Sequence, residues 1–164
     1  MSTALPELAA LEIVDRLENI TVAGGYNYTC ESVVRPRRLT GDDVVPEHLR
    51  LVVLQGSAEE ADEDLAGTGG GEIKPVDYHF TIVAYIIVSD TDTTPFATYV
   101  NGLSADIEKA LSSSGAAWVA FNAGGLNAHL GPAELFQDEA GVEGFSRDLR
   151  ITIRHRAGDL YTAR

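Results

Sequence analysis

The stretch VDYHFTIVAYIIVSD, from Val76 to Asp90, has the most regular apolar pattern in the chain and decides the fold. One set of its alternate residues is almost entirely apolar: Val76, Tyr78, Phe80, Ile82, Ala84, Ile86 and Val88. A period of two is typical of a β-strand with a buried face. The second half of the other face is also apolar, with Val83, Tyr85 and Ile87. A strand that is apolar on both faces lies in the middle of a sheet or contacts a partner chain.

Two amphipathic helices and four more strands are predicted around this strand. The helices are expected over residues 4–20 and from Pro95 to just before Gly115, where apolar residues recur at helical spacing. The strands are expected over residues 26–34, 48–56, 116–121 and 145–156. The glycine-rich residues 122–145 are expected to be irregular, with a helical turn near PAELF. The order α–β–β–β–α–β–β predicts a single α+β domain over residues 1–164, with a mostly antiparallel sheet of about five strands and two helices on one face.

The chain is strongly acidic, and its charge is unevenly distributed. It has 25 acidic and 12 basic residues, so its formal net charge is −13. Such a surface repels the phosphate backbone of a nucleic acid. Five carboxylates cluster in residues 58–74, a glycine-rich segment that is predicted to be a mobile loop: Glu59, Glu60, Asp62, Glu63 and Asp64. Segregated charge often serves docking between surfaces of opposite sign, although a solvated surface without a partner is as good an explanation.

The arginines gather at two places in the sequence: Arg35, Arg37 and Arg38, and then Arg147, Arg150, Arg154 and Arg156. Arg150, Thr152, Arg154 and Arg156 alternate with Leu149, Ile151, Ile153 and His155, which predicts a strand with an apolar inner face and a cationic outer face. This strand lacks the interleaved aromatic residues of a nucleic-acid stacking platform, whereas arginine is well suited to ion pairs at protein interfaces. We therefore expect both groups of arginines, together with Val83, Tyr85 and Ile87, to lie at an interface with another protein chain; solvated outer positions are the alternative.

No catalytic, cofactor-binding or metal-binding motif is present, so the chain is predicted not to be an enzyme. Cys30 is the only cysteine, which excludes an internal disulfide and a CxxC metal site. The four histidines lack metal-ligand spacing, and TGGG is not followed by the Gly-Lys-Ser/Thr of a phosphate-binding loop. Two alternatives stay open: a small enzyme with a site at His129 and residues 122–131, and a nucleic-acid-binding module that uses the C-terminal arginines.

Several segments, taken in order, resemble a known family. An opening helix runs into a Gly-Tyr turn and an arginine-bearing strand, IVDRLENITVAGGYNYTCESVVRPRR, and a proline-led strand follows, VPEHLRLVVL. The strand HFTIVAYIIVSD then leads into the helix NGLSADIEKAL, and the chain closes with LRITIRHRAGDLYTAR. In order and spacing, these segments resemble the tail terminator and minor tail proteins of long-tailed bacteriophages over nearly the full length, although none of the motifs is diagnostic by itself.

The resemblance implies a structural protein of the virion, assembled in the bacterial host cytoplasm, without catalytic residues, cofactors or metals. Members of the family form hexameric rings on the head-proximal end of the tail tube. Such a ring stops tube polymerisation and offers a docking surface to the head or neck connector, and in contractile tails it also contacts the sheath. Genome DNA would pass through without specific binding, and the acidic loop would face the lumen or a ring partner. A head–neck adaptor, or another minor tail or connector protein, is the alternative.

Overall fold

The structure is a computed structural model that describes residues 5–36, 49–60, 73–88, 91–112, 127–137 and 143–156. Two α-helices lie within these residues, α1 (Leu5–Glu18) and α2 (Phe96–Leu111). The strands are β1 (Ser32–Val34), β2 (Leu49–Glu60), β3 (Ile73–Ile86), β4 (Asn127–Leu130), β5 (Glu134–Gln137) and β6 (Glu143–Arg156). The predicted α+β class is therefore confirmed.

The six described strands form one sheet. Its order is β1-β2-β3-β6-β4, and β5 also pairs with β6. The pairing of β1 with β2 is parallel, and the other pairings are antiparallel. β3 pairs with β6 over its whole length, from Ile73 opposite Arg156 to Ile86 opposite Glu143, and with β2 on its other side. The prediction that this strand lies in the middle of the sheet is confirmed.

The core lies between one face of this sheet and the two helices. Alternate residues of β3, from Tyr78 to Ile86, are buried there, as the period-two pattern predicts. In register with them are buried side chains of β2 and β6: Leu49, Leu51, Val53, Phe145, Leu149 and Ile151. The helices contribute side chains at helical spacing, including Ile13, Leu17, Leu103 and Ile107. Burial of each such side chain stabilises the fold by about 1.5–3 kcal/mol, so this face holds the main part of the stability.

A short turn after α1 is fastened to α2 by polar contacts. The buried carboxylate of Asp106 accepts hydrogen bonds from the backbone N–H of Asn27 (3.0 Å), the Asn27 side-chain amide (2.8 Å) and the backbone N–H of Tyr28 (2.9 Å). The Lys109 ammonium donates to the Gly25 carbonyl at 2.7 Å. At Gly102 a Cβ atom would lie 2.5 Å from the Tyr28 ring, so only glycine lets that ring rest on the helix.

Three local predictions were wrong. The strand expected over residues 26–34 is limited to Ser32–Val34, because the backbone N–H groups of Asn27 and Tyr28 bind Asp106 of α2 instead of a neighbouring strand. Residues 58–60 and 73–74 of the predicted 58–74 loop are strand, since the β2–β3 ladder continues to Glu60 opposite Val76 and the β3–β6 ladder to Ile73. PAELF contributes to β5 and not to a helical turn, because β6 offers its free side there. The strand expected over residues 116–121, and residues 61–72 of the loop, lie outside the described residues.

Candidate functional site

The candidate interaction surface is the sheet face opposite the helices, here called the outer face. On β3 it carries Asp77, His79, Thr81, Val83 and Tyr85, which alternate with the buried residues. The β3–β6 register places Thr152, Arg150, Asp148, Ser146 and Gly144 beside them. Neither of the two described helices packs on this face. It has an apolar end near Tyr85 and a polar end near Asp77.

The apolar end gathers two of the three apolar residues that the sequence proposed for an interface. Val83 and Tyr85 are both half-buried, and Val52 of β2 is paired with Val83. The Tyr85 ring meets the Phe136 ring edge-on, with centroids 5.6 Å apart. This contact crosses Gly144, where a Cβ atom would lie 2.2 Å from the Ala84 carbonyl oxygen and 2.8 Å from the Phe136 ring. Part of the Tyr85 side-chain surface is therefore buried within the protomer.

Other residues at this end were missed by the sequence reasoning. Phe136 was assigned to a helical turn, and Arg50, opposite Tyr85, is only 9% exposed. Ile87, the third residue proposed from the sequence, is half-buried just after β3 ends. The apolar end is therefore only partly accessible. The one sequence feature that could have placed Arg50 on this face is the two-residue alternation of LRLVVL, which puts Arg50 in phase with Val52.

The polar end contains Arg150 with acidic neighbours. The Arg150 side chain is 51% exposed and lies 3.7 Å from the Asp77 carboxylate. The Thr152 hydroxyl donates to Asp77 at 2.5 Å, and the Thr81 hydroxyl donates to Asp148 at 2.9 Å. In register, Arg150 lies between His79 and His129. One carboxylate thus lies beside the Arg150 guanidinium and a second stands two residues before it on β6, so the described part of this strand does not form a basic face.

Arg147, which the sequence proposed for an interface together with Arg150, does not belong to the outer face. It pairs with Ile82 and has the same strand phase as the buried Phe145 and Leu149. Its guanidinium donates to the Gly131 carbonyl at 2.7 Å and to the Ser104 carbonyl at 3.1 Å and hydroxyl at 3.0 Å. Its side chain is only 8% exposed. Arg147 therefore joins β6 to α2 and to the β4–β5 connection.

Arg35 is also bound within the protomer. Its guanidinium donates to both carboxylate oxygens of Glu7, at 2.8 and 3.0 Å, and so links the end of β1 to α1. This hydrogen bonding lowers the pKa of Glu7 and raises the pKa of Arg35 from their ordinary values. Its side chain is 28% exposed, so it could contact a partner only while keeping this pair.

The remaining charged residues proposed from the sequence are only partly described. Glu59 is exposed and lies opposite Asp77. For three residues only the strand position is described: Glu60 pairs with Val76, Arg154 with Pro75 and Arg156 with Ile73. Arg37, Arg38, Asp62, Glu63 and Asp64 lie outside the described residues.

The strand register brings the start of the acidic cluster on β2 close to the arginine-bearing end of β6. Glu59 and Glu60 on β2 lie beside residues 76–77 of β3, and Thr152 and Ile153 of β6 lie on the other side of those residues. The backbones of β2 and β6 are two strand spacings apart, about 10 Å. The acidic cluster therefore begins at the same end of the sheet as the C-terminal arginines. Charges that are separate in the sequence are close in one protomer, which weakens the argument that they form two distinct docking patches.

A cleft of about 380 Å³ lies where the end of α2 meets β4. Its lining combines apolar side chains with the polar residues Glu108, Ser112 and His129. The Ser112 hydroxyl donates to the Lys109 carbonyl at 3.1 Å, so it closes the end of the helix. Among the residues that the structure describes, no group of three or more histidine, cysteine, aspartate or glutamate side chains is arranged to hold a metal ion. The described helices are too short or too polar to cross a membrane.

No protein-family model matches this chain, and no curated protein matches its sequence. Sequence similarity therefore assigns no family, and the function is inferred from the resemblance in element order and from the surface geometry.

Proposed function

We propose that this protein is a structural subunit of a long-tailed bacteriophage virion. In several copies arranged as a ring, it caps the head-proximal end of the tail tube, stops tube polymerisation and provides the surface on which the head or neck connector docks. Its partners are further copies of itself, the tail tube protein, the connector and, in a contractile tail, the sheath protein. Genome DNA passes through the ring without specific binding.

One-sided packing is the observation that carries the proposal. Both described helices lie on one face of a single sheet, and the outer face carries half-buried apolar side chains such as Val83 and Tyr85. A closed ring needs two different patches on each subunit that meet head to tail. The helix side offers the second patch, because Leu11 on α1 and Val22 just after it are exposed by 50% and 59%.

The way the chain uses its basic residues supports a role as a DNA conduit. Several cationic side chains of the described part are bound within the protomer: Arg16 to Glu12, Arg35 to Glu7, Arg147 to Ser104 and Gly131, and Lys109 to Gly25. The exposed carboxylates are not neutralised to the same extent, and the net charge is −13. DNA binds proteins chiefly by releasing counterions to lysine and arginine. A ring built from this chain would therefore let the genome pass without holding it.

The test is a tube-capping experiment. Purified protein is added to growing tubes of the tail tube protein, and tube length and tube ends are followed by light scattering and negative-stain imaging. We expect growth to stop and a ring to appear at one end of each tube. Binding to the portal side instead would indicate the head–neck adaptor, and tubes that keep growing with bare ends would refute both. Salt-dependent DNA binding that is lost in Arg150→Ala would instead support a nucleic-acid-binding module.

A further inference from the structure

The sheet has an open edge on each side. On one side, β1 covers only Arg50, Leu51 and Val52 of β2 among the described strands, so no described strand pairs with Val53–Glu60 there. On the other side, β5 and β4 pair only with β6, and their outer side has no described partner. Unpaired N–H and C=O groups along such an edge can bind a strand of another chain.

Both edges expose uncharged side chains, although the first residue of β5, Glu134, is charged and exposed. On β2 the residues from Gln55 to Ala58 are exposed and none of them is charged; Glu59 follows. On β5 the Leu135 side chain is 67% exposed, the highest exposure among the large hydrophobic residues of the described chain. Proteins usually protect a sheet edge with short strands, charged side chains, proline or a bulge. This protein has a bulge between Gln55 and Ala58, and β5 is a short run of four residues that has a single charge but exposes Leu135.

We propose that neighbouring copies join edge to edge, with β5 of one copy pairing with the free edge of β2 in the next. The partner is a second copy because the two open edges lie at opposite ends of one sheet and differ from each other. Such pairing is head-to-tail, and it closes into a ring when the rotation between copies permits. The inference rests on the proposed function only for the place of the ring, because the pairing itself can be measured without a phage tail.

The position of Leu135 agrees with this arrangement. Leu135 pairs with the buried Phe145, so its side chain lies on the helix side of the sheet. On β2 the residues of that phase are Val53 and Gln55, which pair with the buried Ile82 and Phe80. In this pairing, Leu135 of one copy would therefore be covered by the helix side of β2 in the next copy. The run Glu134–Gln137 is about 13 Å long, which matches the length of either half of the free β2 edge.

Cysteine cross-linking between copies tests the proposal. In a Cys30→Ser background, one cysteine replaces Leu135, and the other replaces Gln55 or Ala58 in turn, which both lie on the helix side, so that two registers are sampled. The two single variants are mixed with and without tail tubes, oxidised and separated on a denaturing gel. The control pairs Leu135→Cys with Asn101→Cys, an exposed position on α2.

We expect at least one β2 position to cross-link to Leu135→Cys roughly a hundredfold faster than the control, because a paired strand raises the effective concentration from micromolar towards millimolar. A chain that carries both cysteines should give a ladder of products that stops at the ring size. Dimers from Leu135→Cys alone would show two-fold β5–β5 pairing and overturn the proposal, as would control-level rates both with and without tubes.

A second variant and the tube assay separate the possible failures. Leu135→Lys, with the cross-linking cysteine of β5 moved to Gln137, should reduce cross-linking while thermal unfolding stays unchanged, since the Leu135 side chain is solvated in the single protomer. Edge cross-links without tube capping would refute the proposed function and leave this pairing intact. Tube capping without edge cross-links would refute the pairing and leave the function intact.

Discussion

Arg147 and Arg150 lie three residues apart on β6, and replacing each by methionine should have very different effects on stability. Arg147→Met removes hydrogen bonds to Ser104 and leaves the Gly131 carbonyl without its donor. Bonds to a charged donor contribute about 1.5–3 kcal/mol each, and a new apolar contact by methionine offsets part of the loss. We therefore expect a loss of about 3 kcal/mol. Arg150→Met removes only a 3.7 Å contact of a half-exposed side chain, so it should cost less than about 1 kcal/mol.

Urea unfolding followed by circular dichroism measures both variants. For a chain of this size, about 3 kcal/mol corresponds to a fall in Tm of roughly 6–12 °C. The dependence of the unfolding free energy on urea should keep its slope, because the folded state buries the same surface. An Arg147→Met protein as stable as the wild type would refute the reasoning. If that protein also failed to self-assemble, Arg147 would be an interface residue after all, as its position in the arginine-rich strand first indicated.

Three further predictions concern other contacts of the described chain. Gly102→Ala should destabilise the protein by about 2 kcal/mol in urea unfolding, because its Cβ would lie 2.5 Å from the Tyr28 ring. In a Tyr28→Ala background the same change should be neutral or stabilising by up to about 1 kcal/mol, since alanine favours a helix. An equal loss in both backgrounds would contradict the steric explanation. Gly144→Ala should lower the free energy of unfolding by at least about 3 kcal/mol, because the methyl group would lie 2.2 Å from the Ala84 carbonyl oxygen. The near-ultraviolet circular dichroism of this variant should lose the Tyr85 signal. A fully stable variant would disprove the close approach. The lowered pKa of Glu7 beside Arg35 means that this pair stabilises the fold above the unfolded pKa and that the stabilisation is lost as pH falls through the lowered value. Glu7→Gln should therefore be less stable than wild type near pH 6 and converge with it once the pH is below the lowered pKa of Glu7. A difference in the urea midpoint that persists in such acid would rule the linkage out.

Much of the architecture follows from local patterns. The alternation from Val76 to Val88 predicts a strand with one buried face, and the helical spacing of α1 and α2 predicts their buried stripes. These patterns are reliable because a strand or a helix is stable only where its own apolar side can be buried. The separation of Arg147 from Arg150 was also present in the sequence, since residues of odd number on β6 share the phase of Leu149 and Ile151. Grouping Arg147 with the other arginines because they are close in the sequence overlooked this difference in phase.

Other features were decided only by the tertiary structure. β4 and β5 have no strong pattern of their own and form because β6 has a free side to pair with them. Asn27 and Tyr28 have the pattern of a strand but bind Asp106, which lies far away in the sequence. The approach of Glu59 and the C-terminal arginines to one end of the sheet depends on the register of three strands. Local periodicity determines which elements form and which side of each is buried, whereas contacts between distant residues determine which elements pair and which charges meet.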